Sequence, residues 1–76
     1  MENNSTFQTI INQIKPIKAW SVIKDNLKEL SIRPTKLGNY GVFYEDNFTG
    51  IFVAKSAIDL KELKESGIKY HNKIMD

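Results

Sequence analysis
The chain predicts a small single α+β domain spanning residues 1–76, with elements in the order α-α-β-β-α-β and an antiparallel hairpin carrying helices on one face. Three observations lead there. Residues 40–55 are rich in aromatic and β-branched side chains, which suit a pleated surface, and are interrupted at Asp46 and Asn47. Apolar stripes of helical period stand before and after that run, bounded by residues that start or stop helices. Nothing repeats, and no change of composition marks a second domain.

Residues 1–4 are polar and are expected to be loose. Ser5 followed by Gln8 has the form of a capping box, and Phe7, Ile10, Ile11 and Ile14 then make one helical stripe. Pro16 ends that helix or opens the next. The second helix puts Trp20, Ile23, Leu27 and Leu30 on one side, with Trp20 as a core anchor. Arg33-Pro34 breaks it, and residues 31–39 read as a linker with turn signals at Gly38-Asn39.

Asp46 and Asn47 tolerate the left-handed backbone of a two-residue hairpin turn. That turn would set Phe43 opposite Gly50 and Gly41 opposite Phe52, each ring covering a glycine across the strand pair. One face then carries Tyr40, Val42, Tyr44, Thr49, Ile51 and Val53, and the other Phe43, Phe48, Phe52 and Ala54. Both are apolar, where a sheet with a wet side should alternate. The ring-over-glycine pairs make the phenylalanine face the expected core side. Beyond the hairpin, Ser56 caps a third helix with Ala57, Leu60 and Leu63 inward, and Gly67 closes it with Ile68 packing back on Leu63. Alternation over residues 68–75 predicts a last strand, parallel to residues 51–54 through a right-handed crossover.

A chain of 76 residues buries only somewhat over ~60% of its unfolded surface, so its stability margin is thin. There is no cysteine, hence no disulfide framework or thiolate metal site. No run approaches the ~20 apolar residues of a membrane span, and residues 1–8 lack the regions of a signal peptide, so a cytoplasmic protein without membrane contact is expected. Its wealth of Lys, Asn and Ile suits an AT-rich genome, such as that of a bacterium, a phage or a plasmid. Net charge is +2, and Arg33 is the one arginine beside ten lysines, which weakens base-specific reading of DNA but not phosphate contact.

Catalysis finds little purchase. His71 is the single histidine, with no paired histidine or cysteine and no local constellation of carboxylates, and reads as a structural residue on the polar side of a strand. Glu45, Asp46 and Asn47 lack calcium-loop spacing, and the glycines form no dinucleotide or phosphate loop. No enzyme activity, metal or cofactor is expected. The surplus apolar face, Tyr40, Val42, Tyr44, Ile51 and Val53, is instead the expected partner-binding surface of a small inhibitor or regulator, which docks this face, or an open sheet edge, on a larger protein or on a second copy in a dimer. The alternative is a nucleic-acid-binding regulator, with Lys18, Lys24, Lys28, Arg33 and Lys36 on phosphates, or bases stacked on Tyr40 and Tyr44.

Overall fold
Four β-strands pair in the order β3-β2-β1-β4, and the helical segments pack against one face of the sheet they form. The computed structural model describes residues 5–75, with side chains from residue 6 onward. Along the chain run α1 (Ser5–Ile14), α2 (Trp20–Ile23), a 3-10 turn (Leu27–Glu29), β1 (Leu30–Pro34), β2 (Tyr40–Tyr44), β3 (Asn47–Val53), a second 3-10 turn (Lys55–Ala57), α3 (Leu60–Ser66) and β4 (Lys69–Tyr70). The α+β class and the hairpin are as predicted; one further strand, β1, makes the order α-α-β-β-β-α-β.

β1 occupies what the sequence pattern assigns to the end of the second helix and a linker. Trp20, Ile23, Leu27 and Leu30 do all turn toward the core, but a helix of four residues, a 3-10 turn and a strand share the work. Asp25 and Asn26 explain the break, since their side chains compete for backbone hydrogen bonds inside a helix. From Leu30 onward the period is two: Leu30 and Ile32 are wholly buried, while Ser31 and Arg33 point to the opposite side. β1 pairs antiparallel with β2, Leu30 against Tyr44 and Ile32 against Val42, and parallel with β4, Ser31 against Lys69. β4 therefore runs parallel to β3 as expected, but lies beside β1, with β1 and β2 between it and β3.

The hairpin turn sits one residue earlier than predicted. Tyr44 pairs with Asn47, so Glu45 and Asp46 are the two central residues, with φ of +49° and +71°. Two left-handed residues give a turn whose twist matches that of the strands. The amide of Glu45 donates to the Glu29 carbonyl at 3.1 Å, tying the turn to the start of β1. Phe43 then pairs with Phe48, and Gly41 with Phe52. Between those pairs β3 has three residues, Thr49 to Ile51, facing Val42 alone. Gly50 takes φ +89° in this bulge, and the Thr49 hydroxyl donates to the Val42 carbonyl at 2.8 Å.

The core gathers Ile10, Ile11 and Ile14 of α1, Ile23 of α2, Leu30, Ile32, Tyr40, Val42 and Val53 of the sheet, and Leu63 and Ile68 of the C-terminal part. A polar clasp joins α1 to α3. Thr6, buried, accepts the Asp59 amide on its hydroxyl at 2.9 Å, and its own amide donates to the Glu62 carboxylate at 3.1 Å. The Glu62 carboxylate thus satisfies one of the first-turn amides that a helix leaves without a partner. Asp59, not Ser56, caps α3, accepting the Lys61 amide at 2.9 Å, and Gly67 ends it at φ +90° as predicted. The predicted cap at Ser5 lies outside the described side chains, and Gln8 donates to Asn12 at 2.9 Å. Residues 1–4, expected to be loose, lie outside the described residues.

Candidate functional site
The side of the sheet turned away from the helices holds Ser31 and Arg33 of β1, Gly41 and Phe43 of β2, and Phe48 and Phe52 of β3. The three phenylalanine rings form a row. Phe43 and Phe48 have centroids 5.3 Å apart with planes at 44°, and Phe48 and Phe52 lie 5.2 Å apart at 56°. Such tilted packing suits the quadrupoles of neighbouring rings. Exposure climbs along the row, from 6% at Phe43 to 41% at Phe48 and 48% at Phe52. Leu37, at the tip of the loop between β1 and β2, is 89% exposed and lines a hollow with Phe52, Lys36, Thr35 and Met75. Exposed apolar side chains are usual when scattered singly; here they are gathered in one patch.

Arg33 closes the inner end of the row. Its guanidinium carbon lies 4.1 Å from the Phe43 ring centroid, and Nη2 donates to Asp46 Oδ1 at 2.9 Å. Arg33 therefore covers Phe43 and ties β1 to the left-handed turn. Gly41 has a separate duty: a Cβ there would come within 2.7 Å of the Met75 sulfur and 3.2 Å of the Phe48 ring. Met75 reaches this place because its amide donates to the Pro34 carbonyl at 2.8 Å, beside the bridge from Thr35 to Met75.

The expected partner-binding residues are on the other side. Tyr40, Val42 and Val53 are buried, and Tyr44 and Ile51 pack against the core at its margin. The reason is β1. With Leu30 and Ile32 on the Tyr40 side and Ser31 and Arg33 on the phenylalanine side, only one choice keeps the arginine in reach of water. The ring-over-glycine argument holds for Phe52 and Gly41 but fails for Phe43, which meets Phe48. Tyr40 packs edge-on against Tyr70 at 5.9 Å, and burial, together with Tyr70, raises the pKa of its phenol. Burial and the neighbouring Glu45 raise that of Tyr44, which a hydrogen bond with Asn26 partly offsets.

The basic residues do not gather into one surface. Lys18, Lys24 and Lys28 are exposed on the segment whose Ile17, Trp20, Ile23 and Leu27 pack on the helical side. Arg33 and Lys36 belong with the phenylalanine row. His71 donates its amide to the Ile32 carbonyl at 2.9 Å and shares a shallow hollow with Glu29, Ser31, Glu45, Asp46 and Lys69. Among the described residues no cluster of three His, Asp or Glu side chains is arranged to hold a metal ion. No helix among them is long and apolar enough to cross a membrane. The chain matches no protein-family model, no curated protein and no solved structure.

Proposed function
We propose that this is a small non-enzymatic binding protein, of inhibitor or regulator type, that docks on a larger protein through the open face of its sheet. The observation that carries this reading is the row of Phe43, Phe48 and Phe52 on the side without helices, its outer rings 41% and 48% exposed and Leu37 standing beside them. Aromatic anchors of this sort dominate the energetics of protein interfaces. Stacking of nucleic-acid bases is the competing use of aromatic rings on a sheet. Three features favour protein. The rings are packed on one another, the cation that lies over Phe43, Arg33, is already paired with Asp46, and Leu37 has no role in stacking.

The double variant F48S/F52S tests the reading. Partner proteins retained from the native host by the wild-type chain are purified and their affinities for both forms are measured by calorimetry at low and high salt. The expected result is a loss of at least ~30-fold, about 2 kcal/mol, in a variant whose circular dichroism is unchanged. Affinity for the wild type should vary little with salt. Equal affinity of the two forms overturns the proposal. So does retention of nucleic acid alone with binding that weakens steeply as salt rises. A doubled mass in solution that the double variant abolishes would assign the face to a second copy of the chain instead.

A further inference from the structure
A second surface lies between α3 and the outer edge of β4, which no other described strand covers. Leu60, Leu63, Lys64, Gly67, Ile68, Lys69 and Tyr70 line a groove of about 510 Å³, within the ~300–1,000 Å³ of ordinary ligand sites. Its floor is buried Leu63 and Ile68, and its rims are Leu60 and Tyr70, 48% and 39% exposed. Leu60 was expected to face inward; it stands instead at the lip of this groove.

Two observations say what fits there. The first is charge: among the described residues the charged ones that line the groove are Lys64, from the helix, and Lys69, from the strand; Lys69 also borders the hollow with Glu29, Glu45 and Asp46. The second is the sheet edge. β4 ends the strand order, with β1 on its inner side. The His71 amide points inward to the Ile32 carbonyl. Because backbone groups of successive residues in a strand point to alternate sides, the amide and carbonyl of Tyr70 point outward, toward the groove.

We infer that this groove binds an extended, acid-bearing peptide segment of a partner protein, added as a fifth strand beside β4. Its backbone pairs with Tyr70, its apolar side chains lie on Leu60, Leu63 and Ile68, and its carboxylates meet Lys64 and Lys69. Strand addition takes affinity from main-chain hydrogen bonds and selectivity from the pockets for alternate side chains. The site is separate from the phenylalanine row and stands or falls independently of it.

The probe is a panel of synthetic heptapeptides with alternating Val or Leu and an Asp or Glu at each end, beside the same panel with Lys in place of the acids. Binding is followed by backbone amide chemical shifts and by amide hydrogen exchange on the full chain. At least one acidic peptide should shift residues 60–70, protect the Tyr70 amide from exchange, and lose binding when its central amides are N-methylated. The variant K64E/K69E should weaken it roughly tenfold or more and bind the lysine panel instead. F48S/F52S should bind the acidic peptide as the wild type does. Failure of every acidic peptide at millimolar concentration overturns the inference. Equal binding of both panels, shifts confined to the phenylalanine row, or an unprotected Tyr70 amide do so equally.

Discussion
Arg33 touches three parts of the molecule at once, through its place in β1, its stacking on Phe43 and its bond to Asp46. These contacts differ in worth. The Asp46 side chain is 82% exposed, so the ion pair contributes little, and Asp46→Asn should cost less than ~1 kcal/mol. Arg33→Ala removes the cation over the ring and uncovers a phenylalanine that is only 6% exposed, so it should cost ~1–2 kcal/mol. Urea midpoints of the two variants decide this, and equal losses would mean that the ion pair, not the ring contact, is what matters. Arg33 also shows how far a sequence can be read. Its charge suggested a phosphate contact, and the pair with Pro34 suggested a break. The alternation of Leu30, Ser31, Ile32 and Arg33 was present but covers four residues, too few to outweigh the helical spacing of Ile23, Leu27 and Leu30. Without β1, nothing local says which face of the hairpin is the wet one.

At the level of elements, the bulge of β3 depends on two residues of different kinds. Thr49 supplies a hydroxyl to the Val42 carbonyl, and Thr49→Val should cost ~1–2 kcal/mol by leaving that buried strand's carbonyl short of a donor. Gly50 supplies conformation alone. A Cβ there would meet nothing within 4 Å, yet φ is +89°, so Gly50→Ala should cost ~1–2 kcal/mol from backbone strain and Gly50→Asn distinctly less. Denaturant melts of the three variants check the order. Alanine and asparagine costing the same would remove the left-handed backbone as the cause. Elements with strong local punctuation were legible: the stripe of α1, the hairpin as such, and the end of α3 at Gly67. Those decided by distant partners were not. The turn moved to Glu45-Asp46 because it is held by the Glu29 carbonyl, just ahead of β1, and by Arg33 within β1. The cap of α3 moved to Asp59 because Thr6 holds that amide from the far end of the chain.

For the molecule as a whole, the radius of gyration of 11.4 Å is that of a single compact body, near the ~11 Å expected for this length. Its dependence on alkali follows from two phenols. Tyr40 and Tyr44 both have pKa values raised above the usual 10.0, so the fold favours their neutral forms. Their contribution is fully present below the ordinary tyrosine value and is lost as pH rises through the raised ones. Melting temperature should therefore fall above about pH 10, and Tyr40→Phe, which cannot ionise, should lessen the fall. Thermal melts between neutral pH and strong alkali, with tyrosinate absorbance followed in parallel, check this; identical slopes for the two proteins would contradict it.

The bulge at Thr49–Gly50–Ile51 has a consequence for life among many copies of the same chain. β3 is the longest strand, stands at a sheet border, and carries Phe48 and Phe52. A straight border of that composition is a template on which identical chains stack into fibrils. Three residues set against one bend that border, so that a second β3 laid alongside meets a mismatched ladder. The strand that leaves Phe48 and Phe52 in water thus contains, three residues long, the kink that hinders polymerisation of the chain.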